Sequence, residues 1–110
     1  MAEPQPTIST HVLDTGSGAP RAGATVRLWR RDAGGVRRLV HQAATDADGR
    51  IRDLLGGEAL TEGVYALEFV LDDGTLFEGL TVELRIADAT RGYHVPLLAA
   101  PYGLTTYRGS

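Results

Sequence analysis

The sequence predicts an all-β fold, a two-layer antiparallel β-sandwich of about eight strands with at most one short helix. Three observations predict it. Aliphatic and polar residues alternate with period two over several short stretches, most cleanly in Leu80-Thr81-Val82-Glu83-Leu84-Arg85-Ile86, where every even position is aliphatic. Fourteen glycines and five prolines in 110 residues are too many for a helical bundle but suit short strands joined by tight turns. Asp-Gly and Gly-Gly pairs stand between the alternating stretches. A sheet with one wet face buries every second residue, and two such sheets stacked face to face bury both sets.

The first strand is expected over Ile8 to Leu13, with Ile8, Thr10 and Val12 on one face and Ser9, His11 and Leu13 on the other. A break from Thr15 to Gly23 leads to Ala24-Thr25-Val26-Arg27-Leu28, after which Trp29 falls on the polar side. Asp32-Ala33-Gly34-Gly35 separates this from a third stretch, Val36 to Ala44. Asp48-Gly49 supplies the positive φ values of a type I′ hairpin turn before Arg50 to Leu55. Tyr65 to Leu71 puts Tyr65, Leu67, Phe69 and Leu71 on one face, and Asp72-Asp73-Gly74 breaks the chain before the Leu80 stretch. Tyr93 to Leu98 and Leu104 to Tyr107 complete the set. Pro96 cannot donate to a ladder, so an edge or a bulge is expected there. Glu58 to Glu62 or Gly74 to Gly79 has room for one or two turns of helix. The chain has room for one core, so residues 1–110 are read as one domain, with residues 1–6 disordered.

Composition removes several functions. With no cysteine, disulfide scaffolds and thiolate metal sites are excluded. Eleven basic residues against fourteen acidic ones leave −3, which is no footprint for nucleic acid. Apolar runs of only a few residues exclude a membrane-spanning helix. The opening Met1-Ala2-Glu3-Pro4-Gln5-Pro6 lacks the basic and then apolar pattern of an export signal, so a reducing, cytoplasmic setting is expected.

The candidate chemistry lies on the strands. If Val12 and Val95 face the core, alternation turns both His11 and His94 outward. Outward histidines serve a site only where something covers and dries that face, as a partner subunit would; two solvated surface histidines are the plain alternative. His41 is the only other imidazole, and the i, i+2 and i, i+4 spacings of metal sites are missing, so no metal is expected. Arg50 shares a face with Arg52, either as a surface pair keeping a strand edge soluble or as a fixed cation that keeps a nearby imidazole neutral. Asp46-Ala47-Asp48-Gly49 lacks the third oxygen ligand and the later Glu of a calcium loop. Val12-Leu13-Asp14-Thr15-Gly16-Ser17 is similar to the active-site loop of retroviral-type aspartic proteases, but Asp14 stands too near the N-terminus for the strands that precede such a loop.

Three blocks taken together resemble the transthyretin-like family of 5-hydroxyisourate hydrolases. They are Ser9-Thr10-His11-Val12-Leu13-Asp14-Thr15 with Gly18-Ala19-Pro20, then Thr45-Asp46-Ala47-Asp48-Gly49-Arg50, then Tyr93-His94-Val95-Pro96-Leu97-Leu98 with Pro101-Tyr102-Gly103 and the ending Thr106-Tyr107-Arg108-Gly109-Ser110. The resemblance implies an eight-stranded sandwich assembled as a homotetramer, with sites in the channel where dimers meet. It implies hydrolysis of 5-hydroxyisourate to 2-oxo-4-hydroxy-4-carboxy-5-ureidoimidazoline with neither metal nor organic cofactor. The site residues it implies are His11, Arg50 and His94 for catalysis and Tyr107, Arg108, Gly109 and Ser110 for substrate. From their residue types the two histidines are expected to act as base and orienter, in either order, with Arg50 taking the purine-like oxygens and the hydroxyls of Tyr107 and Ser110 positioning substrate or water. Arg108 is expected to pair with a carboxylate and fix the tail.

Two departures from the family pattern stand out. Leu71 to Leu80 lacks the aromatic-aromatic-proline element that relatives carry after a short helix, which puts the helix in doubt. Leu104 replaces a common aromatic on the channel wall or dimer edge. Fold alone cannot separate a hydrolase of this family from the hormone carrier transthyretin, but the carrier lineage lacks the two histidines, the arginine and the Tyr-Arg-Gly-Ser tail together. An adhesive sandwich domain has no reason to keep outward histidines.

Overall fold

The alternating stretches become nine strands in a computed structural model that describes residues 5–109. They are β1 (Ile8–Asp14), β2 (Thr25–Arg31), β3 (Arg37–Ala44), β4 (Arg50–Ile51), β5 (Gly63–Val70), β6 (Gly79–Ile86), β7 (Tyr93–His94), β8 (Leu97–Ala100) and β9 (Gly103–Thr106). One sheet runs β4-β1-β8-β9 with β7 also on β1; the other runs β3-β2-β5-β6. Together they make the two layers of an all-β sandwich.

Burial follows the predicted faces. Ile8, Thr10 and Val12 of β1 are buried, as are Val26 and Leu28 of β2 and Tyr65, Leu67 and Phe69 of β5. Val95 and Leu97 close the core from the β7–β8 side. Val12 and Val95 therefore do face inward. Thr10 is a buried polar residue whose hydroxyl donates to the Val95 carbonyl at 2.6 Å, so it ties β1 to its neighbour without leaving an orphan.

No helix forms among the described residues, within the expected limit of one short helix. Several local expectations are corrected. The Asp53 carboxylate accepts the Leu55 and Gly57 amides at 3.0 Å, and Gly56 and Gly57 have φ of 60° and 89°, so this stretch turns where strand was expected. That turn also ends β4 at Ile51, short of the expected Leu55. In β3 the register slips between Leu28–His41 and Trp29–Leu39, a bulge that blurs the alternation of its sequence. The pairing is not antiparallel throughout, because β1 runs parallel to β7 and β8. These strands come from opposite ends of the chain, so no hairpin dictates their direction.

Pro96 makes neither an edge nor a bulge. Ser9 pairs with His94 and Val12 with Leu97, so the register is unchanged across it. Since the Val95 amide donates to Ser9, the missing Pro96 donor faces away from β1, where the Thr106 hydroxyl instead serves the Pro96 carbonyl at 2.9 Å. β7 and β8 are thus one strand interrupted by a proline.

The Asp48-Gly49 turn differs most usefully. Only Gly49 has positive φ, 76°, so the turn is not type I′. Asp46 caps it, accepting the Asp48 amide at 2.9 Å and the Arg50 amide at 3.0 Å on one carboxylate oxygen. The turn does not close a hairpin either. It carries the chain from β3 in one sheet to β4 in the other, and the Gly49 carbonyl accepts the Val12 amide at 2.8 Å. An added Cβ on Gly49 would lie 2.5 Å from the Val12 carbonyl oxygen. This corner sets where Arg50 starts.

Candidate functional site

β1 delivers two side chains to the outer face of its sheet. Ser9 and His11 alternate with buried Ile8, Thr10 and Val12, so both point away from the core. On one flank His11 pairs with Arg50 of β4 in an antiparallel ladder, which places their Cβ atoms roughly 5 Å apart. On the other flank Ser9 pairs with His94 of β7, and Ser9 Oγ lies 2.9 Å from His94 Nδ1. Three strands therefore gather Ser9, His11, Arg50 and His94 on one face, although 83 residues of sequence separate the two histidines.

The C-terminal tail joins them. Gly109 bridges His94, donating its amide to the His94 carbonyl at 2.7 Å. An added Cβ on Gly109 would sit 2.6 Å from His94 Cδ2, so the ring is laid against bare backbone. The imidazole is thus flanked by Ser9 on its Nδ1 side and by Gly109 on its Cδ2 side.

Electrostatics favour an uncharged ring. Partial burial first, then the Arg50 guanidinium, then His11, push the His94 imidazole below its ordinary range. Arg50 and Arg52 both line a cleft of about 170 Å³ with Ser9, Thr10, Ile51 and His94. Neither arginine makes an ion pair among the described residues. Two guanidinium groups with no carboxylate partner among the described residues, beside a neutral imidazole, suit a ligand rich in carbonyl oxygens. A second hollow of about 550 Å³ adjoins the first and shares Ser9 and His94 with it. Small-molecule sites typically enclose ~300–1,000 Å³ and bury most of the ligand, so the arginine cleft of one chain is a fraction of such a site.

The remaining expected residues do not all arrive. Tyr107 and Arg108 line a separate hollow with Val82 to Ile86, Tyr93 and Val95. Arg108 has no carboxylate within salt-bridge distance among the described residues; its guanidinium stacks over the Tyr93 ring, 4.4 Å from the centroid. That stacking holds the tail in place of the expected ion pair. Tyr107 is half exposed, and Ser110 lies outside the described residues. His41 is on the other sheet, its ring against Gly56. Among the described residues no three His, Asp or Glu side chains come within reach of one metal ion. Asp14, of the protease-like loop, caps its own turn by accepting the Gly16 amide at 2.8 Å. Ser9 is the residue that sequence reasoning did not single out, although its place two residues before His11 already put it on the same face.

Comparison with known proteins gives a consistent result. Residues 8–109 match the model of a family described as HIUase/Transthyretin family. A 5-hydroxyisourate hydrolase from Halalkalibacterium halodurans is 42% identical over 94% of this chain and 97% of its own. The solved structure of Klebsiella pneumoniae 5-hydroxyisourate hydrolase superposes with a TM-score of 0.79 at 31% identity, covering 96% of this chain and all of that one. Sea bream transthyretin in complex with thyroxine superposes with a TM-score of 0.83 at 23% identity over 93% of each chain, a likeness of fold.

Proposed function

The chain belongs to the HIUase/Transthyretin family, and from that membership we propose that it hydrolyses 5-hydroxyisourate at the face formed by β1, β4 and β7. The observation that carries the reading is the meeting of His11, Arg50 and His94 on one outward face, with the tail laid against the His94 ring. A carrier needs a lined channel; it has no use for a neutral imidazole held beside a fixed cation.

In this reading the substrate's flat, carbonyl-rich ring lies against Arg50, whose guanidinium binds ring oxygens and stabilises charge developing on the attacked carbonyl. One histidine takes a proton from a water as its oxygen bonds to the ring carbonyl carbon, and the other orients the reacting groups. The carbon–nitrogen bond of the ring then breaks, the proton returns to the departing ring nitrogen, and a carboxylate and an opened ring remain. General-base help of this kind contributes ~10²–10⁴-fold in rate. Gly109, packed on the His94 ring, borders the substrate, and Arg108 anchors the segment on Tyr93; roles for the Tyr107 and Ser110 hydroxyls rest on the family resemblance alone. No metal or organic cofactor enters.

The site faces outward, and its arginine cleft holds only about 170 Å³, which supports completion by a second copy of the chain. The reading therefore includes a homotetramer with sites where dimers meet. The lack of cysteine fits a reducing compartment, and the same reading places the protein in the cytoplasm. The test is the ultraviolet decay of freshly generated 5-hydroxyisourate with and without protein. Acceleration in proportion to enzyme concentration is expected, and decay at the spontaneous rate contradicts the proposal.

A further inference from the structure

We propose that Ser9 is a positioning residue of this site, its hydroxyl donating to Nδ1 of His94 and holding that imidazole as the tautomer with its proton on Nε2. The kinetic consequence rests on the hydrolase reading above; the hydrogen bond does not.

Ser9 and His94 are register partners in the parallel pairing of β1 with β7, and the 2.9 Å contact joins Oγ to Nδ1. Among the described residues this is the only hydrogen bond of the Ser9 hydroxyl. A neutral imidazole has one donor and one acceptor nitrogen, and a hydroxyl has one proton to give. If Nδ1 carried the ring proton, the hydroxyl would accept and its own proton would find no acceptor among the described residues. If the hydroxyl donates, both groups are satisfied by one contact. Neutrality of the ring is supported by burial, Arg50 and His11.

Geometry fixes which edge is left over. Ser9 holds the ring at Nδ1, and Gly109 packs at Cδ2, where an added Cβ would come to 2.6 Å. The Cε1–Nε2 edge is the part that neither neighbour covers. With Nδ1 occupied as an acceptor, that edge carries N–H, a hydrogen-bond donor for a carbonyl oxygen. The same strand that supplies His11 thus sets the chemical state of His94, two residues away on the same face. Orientation of a catalytic imidazole by a partner on its second nitrogen is a general device, and loss of the partner leaves the ring free to take the wrong tautomer.

The test uses the full chain labelled with nitrogen-15 in histidine, at a pH where the rings are neutral, as wild type, Ser9→Ala and Ser9→Thr. Two-bond proton–nitrogen correlation is expected to show unprotonated Nδ1 and protonated Nε2 for wild-type His94 and a tautomer mixture in Ser9→Ala. On 5-hydroxyisourate, Ser9→Ala is expected to lower kcat roughly 3- to 10-fold, the size of one net hydrogen bond, with KM within about twofold. Ser9→Thr keeps the hydroxyl and is expected to restore both tautomer and kcat, which a packing role alone would not require. A protonated Nδ1 in the wild type overturns the proposal. So does Ser9→Ala with the wild-type tautomer and kcat. A wild type with the expected tautomer but no hydrolysis supports the Ser9 contact and overturns only the functional reading.

Discussion

Replacing Gly109 with Ala probes the contact between tail and imidazole. The new methyl carbon would start 2.6 Å from His94 Cδ2, whereas ordinary carbon contacts begin near 3.4 Å. Something must retreat by roughly 0.8 Å, about the displacement at which a mispositioned group costs ~10²-fold in rate. His94 is held by its backbone, in the ladder to Ser9 on one side and by a single bridge to Gly109 on the other, so the ring moves before the strand does. Turning the ring also pulls Nδ1 away from Ser9. Gly109→Ala is therefore expected to lower kcat on 5-hydroxyisourate about 10²-fold, with KM changed less than threefold. Its thermal midpoint should stay within a few degrees of wild type, because no core residue is touched. The assay is ultraviolet decay under saturating substrate, paired with thermal unfolding. A variant with kcat within twofold of wild type refutes the claim that bare backbone at position 109 sets the ring.

Arg50→Gln removes one of the causes that lower the His94 pKa, so the NMR titration midpoint of His94 is expected to rise; an unchanged midpoint means the guanidinium does not act on the ring. The same linkage has a stability sign. A histidine whose folded pKa is depressed binds more protons unfolded, so its share of stability is full above its unfolded pKa of ~6.5 and falls as pH drops toward the folded value. Denaturant unfolding between pH 5 and 8 should show that slope in wild type and a shallower one in Arg50→Gln. Gly49→Ala combines a left-handed backbone position, costing ~1–2 kcal/mol, with a clash against the Val12 carbonyl. It is expected to lower stability by about 2–4 kcal/mol and to reduce activity by shifting Arg50; a midpoint within two degrees of wild type rules out that role for the corner.

How far the sequence could be read is clearest at particular residues. Alternation placed Ile8, Thr10, Val12, Tyr65, Leu67 and Phe69 inside and sent both histidines outward, because burial on a pleated strand follows a period of two. It could not say what each turn would do. Asp32-Ala33-Gly34-Gly35 and Asp46-Ala47-Asp48-Gly49 share the same Asp-Ala-x-Gly frame and the same aspartate cap. The first closes the β2–β3 hairpin, while the second turns between sheets. Local hydrogen bonds are the same in both; tertiary packing decides the path. The His11–Arg50 and Ser9–His94 pairs were likewise beyond local reading, since each depends on a non-local register. Resemblance supplied His11, Arg50 and His94, but it pointed to no role for Ser9 and to an ion pair where Arg108 instead stacks on Tyr93.

The central claim is that His11 and His94 work as one catalytic unit on a face that folds without them. Its most direct measurement is kcat for wild type, His11→Ala, His94→Ala and the double variant, with circular dichroism of each. Both single variants are expected to fold and to lose ~10²–10⁴-fold. The double variant should be little worse than the weaker single one, as for groups that act in a single step. Either single variant turning over 5-hydroxyisourate at the wild-type rate contradicts the account.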